Sequence, residues 1–112
     1  MNGLLEVRGK LIDVDKEGFL VNLDDWSDDV AVALAQVENI ELSPEHLDVI
    51  LALRRFYARY QLSPAMRPLV KFIGQELGPD KGNSLYLLKL FPGSPAKIAS
   101  KIAGLPKPDN CL

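Results

Sequence analysis

Three Ser-Pro pairs, Ser43-Pro44, Ser63-Pro64 and Ser94-Pro95, limit how this chain can fold more than any other feature. A serine hydroxyl accepts from a free backbone N–H at a helix start. Proline one position later costs nothing, because its missing N–H would have had no intrahelical partner. Each pair therefore predicts a helix N-terminus. After Ser43, the apolar and aromatic residues Leu47, Ile50, Leu51, Phe56, Tyr57 and Tyr60 recur at helical spacing. After Ser63, Met66, Leu69, Val70 and Ile73 make a second stripe that Gly78-Pro79 ends. Ser94 opens a last helix running to about Ala103, with Gly104 as its stop. Ser27 caps a further helix, with Asp28 and Asp29 at the positive end of its dipole. Asn83 or Ser84 starts a short one carrying Leu85, Leu88 and Phe91.

The opening residues read differently. Two apolar pieces, Leu11-Ile12 and Phe19-Leu20-Val21, flank Asp15-Lys16-Glu17-Gly18, an acid-rich turn closing on a residue that tolerates left-handed backbone. This predicts a hairpin over Gly9 to Asn22, with Leu4, Leu5 and Val7 as a candidate third strand. The expected class is α+β: a small N-terminal antiparallel β-hairpin or meander packed on an array of about five helices. A chain of 112 residues holds one such domain, residues 1–104, followed by a mobile, flexible Pro-containing arm, residues 105–112.

That arm, Leu105-Pro106-Lys107-Pro108-Asp109-Asn110-Cys111-Leu112, cannot continue a helix, because two prolines impose extended geometry on themselves and their predecessors. Fully stretched, it spans at most roughly 26–29 Å. It carries the only cysteine, one residue from the end. Asp109 and the Leu112 carboxylate disfavour a thiolate at Cys111, and Lys107 offsets them only in part. A thiol so placed is either incidental or one that a partner's pocket activates.

Charge is unevenly spread: residues 1–50 carry net −9 and residues 51–112 net +7, for −2 overall. Either the two halves attract each other within one fold, or the second half offers a basic face to an anionic partner. Candidate contacts on such a face are Arg54, Arg55, Arg59, Arg67 and Lys71, with Tyr57 and Tyr60 among them, together with Lys107.

Enzyme constellations are missing from the pattern. One histidine, His46, and one cysteine cannot build a zinc site or a supported thiol–imidazole pair. Gly82-Asn83-Ser84 lacks the ending of a phosphate loop, and Asp24, Asp25, Asp28 and Asp29 lack calcium-loop spacing. No metal or cofactor is expected. No apolar run approaches the roughly 18–20 residues of a membrane span. The opening residues hold no signal-peptide core, so the expected location is the cytoplasm.

The run Lys101-Ile102-Ala103-Gly104-Leu105-Pro106-Lys107-Pro108-Asp109-Asn110-Cys111-Leu112 is the most specific stretch in the chain. Supporting blocks are Leu42-Ser43-Pro44-Glu45-His46, Ser63-Pro64-Ala65 with Arg67, Lys81-Gly82-Asn83-Ser84 with Tyr86-Leu87, and Leu90-Phe91-Pro92 leading to Pro95-Ala96-Lys97. In this order they resemble the DsrC/TusE family of sulfur-carrier proteins over nearly the whole length. The resemblance implies a persulfide-forming cysteine at Cys111. Members that work with dissimilatory sulfite reductase carry a second cysteine at the position that is Ser100 here. The single-cysteine pattern is that of the TusE branch, which takes sulfur from the TusBCD complex and passes it toward MnmA for thiolation of the tRNA wobble uridine. The role implied is a sulfurtransferase-type persulfide carrier rather than a self-sufficient catalyst, with indirect tRNA contact as one expected interaction and direct contact left open. Two alternatives stand beside it. One is a single-cysteine protein of sulfur oxidation, fed by a rhodanese or a TusA-like donor. The other is a regulatory binding module whose thiol is never loaded.

Overall fold

The computed structural model describes residues 2–109. Strands β1 (Gly3–Val7) and β2 (Lys10–Val14) form an antiparallel hairpin in register from Gly3↔Val14 to Val7↔Lys10. A short 3-10 turn, Leu23–Asp25, leads to helices α1 (Asp28–Val37), α2 (Pro44–Tyr60), α3 (Met66–Leu77), α4 (Ser84–Leu90) and α5 (Pro95–Ile102). The α+β class, the N-terminal hairpin and the five helices match the expectation from sequence.

The hairpin itself is displaced from its expected place. Its tight turn is Arg8-Gly9, both left-handed at φ 50° and 79°, as a two-residue connection demands. The Asp15–Gly18 turn also forms: the Asp15 carboxylate accepts from the amides of Glu17 and Phe19, and Gly18 takes φ 91°. Beyond it, however, only Leu20 pairs, in a single bridge to Val14. Phe19 and Leu20 turn into the core, and Asn22 caps the 3-10 turn before a strand can extend.

Helix starts fall where expected with one exception, although at α5 the N-cap residue Ser94 makes no side-chain cap bond. Ser27 accepts from Val30 N, Asn83 from Tyr86 N, and Ser43 from His46 N. His46 completes a reciprocal box: its Nδ1 accepts from Ser43 N at 3.0 Å, while Nε2 lies 2.7 Å from the Leu90 carbonyl. One imidazole thus ties the start of α2 to the end of α4. Ser63-Pro64 does not start α3, which begins at Met66 after Ala65 with no side-chain cap. Pro68 falls in its first turn, where no amide is needed.

α5 is the hub of the packing, since it touches each of the other four helices. Ala96, Ala99 and Ile102 bury against a core that includes Val30, Leu34, Ile50, Leu53, Leu69, Ile73, Leu87 and Phe91. Small residues on α5 let several helices approach it closely. The exposed apolar positions differ in part from the expected stripes: Leu47 and Leu51 on α2 and Leu85 and Leu88 on α4 face outward. Val49, Leu53 and Leu87 lie inside in their place. Charge attraction between the halves is real: Lys97 and Lys107 meet Glu17, and Lys101 meets Glu38. Among the described residues, no helix is long and apolar enough to cross a membrane.

Candidate functional site: the root of the C-terminal arm

Every helix ends with carbonyls that have lost their intrahelical donors. At the end of α5 all of them are answered. Gly104 takes φ 73°, so Gly104 N reaches Lys101 O and Leu105 N reaches Ser100 O, both at 3.0 Å. This is the paired reverse turn that a left-handed glycine after a helix permits. The next two carbonyls are closed from outside: Trp26 Nε1 donates to Ile102 O at 2.9 Å, and Arg54 donates to Ala103 O at 2.7 Å. The Arg54 guanidinium also lies 3.9 Å from the centre of the Trp26 ring. Partial burial lowers the Arg54 pKa from its ordinary value, yet an arginine remains charged and suits the negative end of the helix dipole. Gly104 is doubly required there, because a Cβ would overlap the Trp26 ring.

Past Gly104 the chain stays attached for several residues. Leu105 and Pro108 are buried. Ser63 Oγ donates to Pro106 O at 2.6 Å, so the hydroxyl expected to cap α3 serves the arm instead. Lys107 Nζ sits 3.0 Å from a Glu17 carboxylate oxygen, 90 residues away in sequence. Between Tyr57, Gln61 and Ser63 on one side and Pro106, Lys107 and Asp109 on the other lies a cleft of about 190 Å³.

The candidate residues divide into three groups. Arg54 and Lys107 come together at this root, both with partners. Arg55 pairs with Glu76 at 3.0 Å, while Arg59 lies over the Tyr60 ring at 5.3 Å. Arg67 and Lys71 are exposed one turn apart on α3. Cys111 falls outside the described residues. Sequence reading overlooked Trp26, Ser63 and Glu17 as parts of the root. Trp26 had a signal, being the only tryptophan; Ser63 and Glu17 make contacts too distant along the chain to leave one.

Ser100, four residues before the turn glycine, is fully buried, and its hydroxyl has no hydrogen-bond partner among the described residues. Its carbonyl takes part in the turn that launches the arm.

What fold and root define together is a small α+β protein whose last helix is a pedestal for a C-terminal tail. The chain belongs to the family described as DsrC like protein, which it matches over residues 6–112. It is 50% identical over 109 residues to the sulfurtransferase TusE of Escherichia coli K12, covering 97% of this chain and all of that protein. The sulfurtransferase TusE homolog of Haemophilus influenzae is similar to the same extent, 50% over 109 residues, with 97% of this chain and 100% of the relative covered. Among solved structures, Allochromatium vinosum DsrC matches with a TM-score of 0.91 at 51% identity over the whole of both chains. The oxidized gamma-subunit of dissimilatory sulfite reductase (DsrC) from Archaeoglobus fulgidus matches with a TM-score of 0.85 at 43% identity, covering 98% of this chain and all of that one.

Proposed function

We propose that this protein is a sulfur carrier that accepts sulfur as a persulfide on Cys111 and hands it to another protein. The observation that carries the reading is the fully capped root: the chain holds residues 105–108 against its body, and its only thiol follows three residues later. The step is a sulfur exchange. The Cys111 thiolate attacks the outer sulfur of a donor's cysteine persulfide, the donor's S–S bond breaks, and the donor leaves as thiolate. No net oxidation occurs, and the acceptor's thiolate repeats the same exchange to remove the sulfur. Lys107, the nearest cation in sequence, already shares its charge with Glu17, so activation of the thiol falls to the partner's pocket.

The single cysteine and the TusE relatives favour a relay of the TusBCD–TusE–MnmA kind, ending in thiolation of the tRNA wobble uridine. The upstream donor is then a TusBCD-like complex and the acceptor an MnmA-like tRNA thiolase, in the cytoplasm. The likeness to a DsrC as well as to TusE leaves room for a second reading, the sulfur-oxidation traffic with a rhodanese or TusA-like donor that the family resemblance implies.

Intact-mass analysis after exposure to a persulfide-loaded donor tests the carrier. Wild type gains about 32 Da per sulfur accepted, and Cys111→Ser gains none. Equal gain in both proteins, or none in either, would leave a binding module rather than a carrier. Thiolation of tRNA by MnmA, rebuilt with and without this protein, separates the two pathways.

A further inference from the structure

Glu17 stands at the tip of the Asp15–Gly18 turn and holds two ammonium groups at once. One Glu17 oxygen lies 3.2 Å from Lys97 Nζ and 3.0 Å from Lys107 Nζ, and the other lies 3.3 Å from Lys107. Lys97 belongs to α5 and Lys107 to the arm. The carboxylate therefore joins three segments: the N-terminal turn, the hub helix and the chain beyond Gly104. We propose that Glu17 is a positioning residue for the sulfur-bearing arm, latching its root to α5 and fixing where the chain stands at Lys107. The inference rests on the carrier reading for its purpose, though not for its geometry.

Several features support it. The turn that presents Glu17 is itself rigid: the Asp15 side chain binds two of its amides, and Gly18 N donates to Asp15 O at 2.9 Å. Lys101, one turn after Lys97, lies against Gly18 and Phe19 and pairs with Glu38, so the same face of α5 is fastened to the same turn twice. The Lys107 contacts also favour the ionised carboxylate and hold the Glu17 pKa below its ordinary value. Without Glu17, Lys97 and Lys107 would face each other as like charges. The latch is half-exposed, so it is weak and breakable. A partner that extracts the arm can open it at little cost. In the free protein it still restrains the chain at Lys107, and such preorganisation acts on binding rather than on the chemical step.

Amide exchange at Leu105, whose N–H is bound to Ser100 O, reports opening of the root without reference to sulfur. At low salt, Glu17→Gln is expected to speed exchange at Leu105 about two- to fivefold, while Ile102 exchange and the thermal midpoint stay as in wild type. Lys107→Gln gives a similar or smaller change, and the double variant is no faster than Glu17→Gln. Raising salt from about 0.01 to about 1 M speeds wild type toward the variant and leaves the variant unmoved. With persulfide-loaded rhodanese as donor, Glu17→Gln raises KM about two- to fivefold at constant kcat. Its reaction with the uncharged reagent 4,4′-dithiodipyridine stays unchanged. Unaltered Leu105 exchange overturns the proposal. So does exchange that rises throughout the molecule, which would make Glu17 merely structural, or an unchanged KM beside faster exchange. If wild-type Cys111 never loads sulfur, the carrier reading fails, and the exchange result still decides whether Glu17 holds the arm.

Discussion

The two ends of the molecule are built on opposite principles. The N-terminal hairpin is closed by local pairing: β1 and β2 are two residues apart, and Leu4 and Leu11 remain exposed on its outer face. The C-terminal root is closed by contacts that reach across the sequence, from Trp26, Arg54, Ser63 and Glu17. A hairpin of this kind can be changed on its outer face without consequence elsewhere. The root cannot, because each partner sits in a different element and each answers one particular group. Precision has been placed where the chain leaves its last helix, and tolerance where nothing depends on the detail.

Breaking the root at its tightest point should have the largest effect. Gly104→Ala combines a left-handed backbone that alanine resists with overlap on Trp26, so it should cost about 2–4 kcal/mol in chemical denaturation. A loss below about 0.5 kcal/mol would mean that the turn can be rebuilt another way. Ser63→Ala removes the donor to Pro106 O from a site where Ser63 is 7% exposed, and should cost about 1 kcal/mol. Ser100→Ala should move the other way by about 1 kcal/mol, because it deletes a buried hydroxyl that none of the described residues satisfies. Loss of stability on that substitution would show that the hydroxyl has a partner in the free protein outside residues 2–109.

Acid is a gentler probe. Glu17 is held below its ordinary value of 4.5, first by Lys107 and then by Lys97. Its folded pKa is thus lower than its unfolded one. Its contribution is complete above the unfolded value and disappears as the pH falls through the lowered one. Amide signals of Lys107 and Leu105 should stay constant down to the ordinary carboxylate range and shift only below it. Glu17→Gln should show no such step. The smallest effect belongs to the hairpin: Leu11→Thr, at a site 61% exposed, should change stability by less than about 0.5 kcal/mol. A larger loss would show that the outer face is covered by something.

Much of the fold was legible because helix starts are local chemistry. Ser27, Ser43 and Asn83 each cap the helix that follows them, within four residues of the amide they bind. Ser63 carries the same local signature and does something else, since a carbonyl 43 residues away claims its hydroxyl. Nothing near it in sequence could reveal that. The hairpin was misplaced for a related reason. Asp15-Lys16-Glu17-Gly18 is the stronger turn signal and does turn, whereas Arg8-Gly9 places arginine at a left-handed position where Asn or Asp is the usual mark. Gly104 was readable as a helix stop, but the need for glycine against Trp26 was not. Arg54 looked like a surface cation until its carbonyl and its ring appeared.

The closed end of α5 has a further consequence for a carrier built this way. Because every terminal carbonyl is occupied, the tether cannot lengthen by unwinding the helix behind it without losing those bonds. From Pro108 to Cys111 the chain spans three residues, at most roughly 10–11 Å. If Cys111 carries the sulfur, each partner works close against the body of the protein, or first opens the weak contacts at Lys107 to draw out more chain.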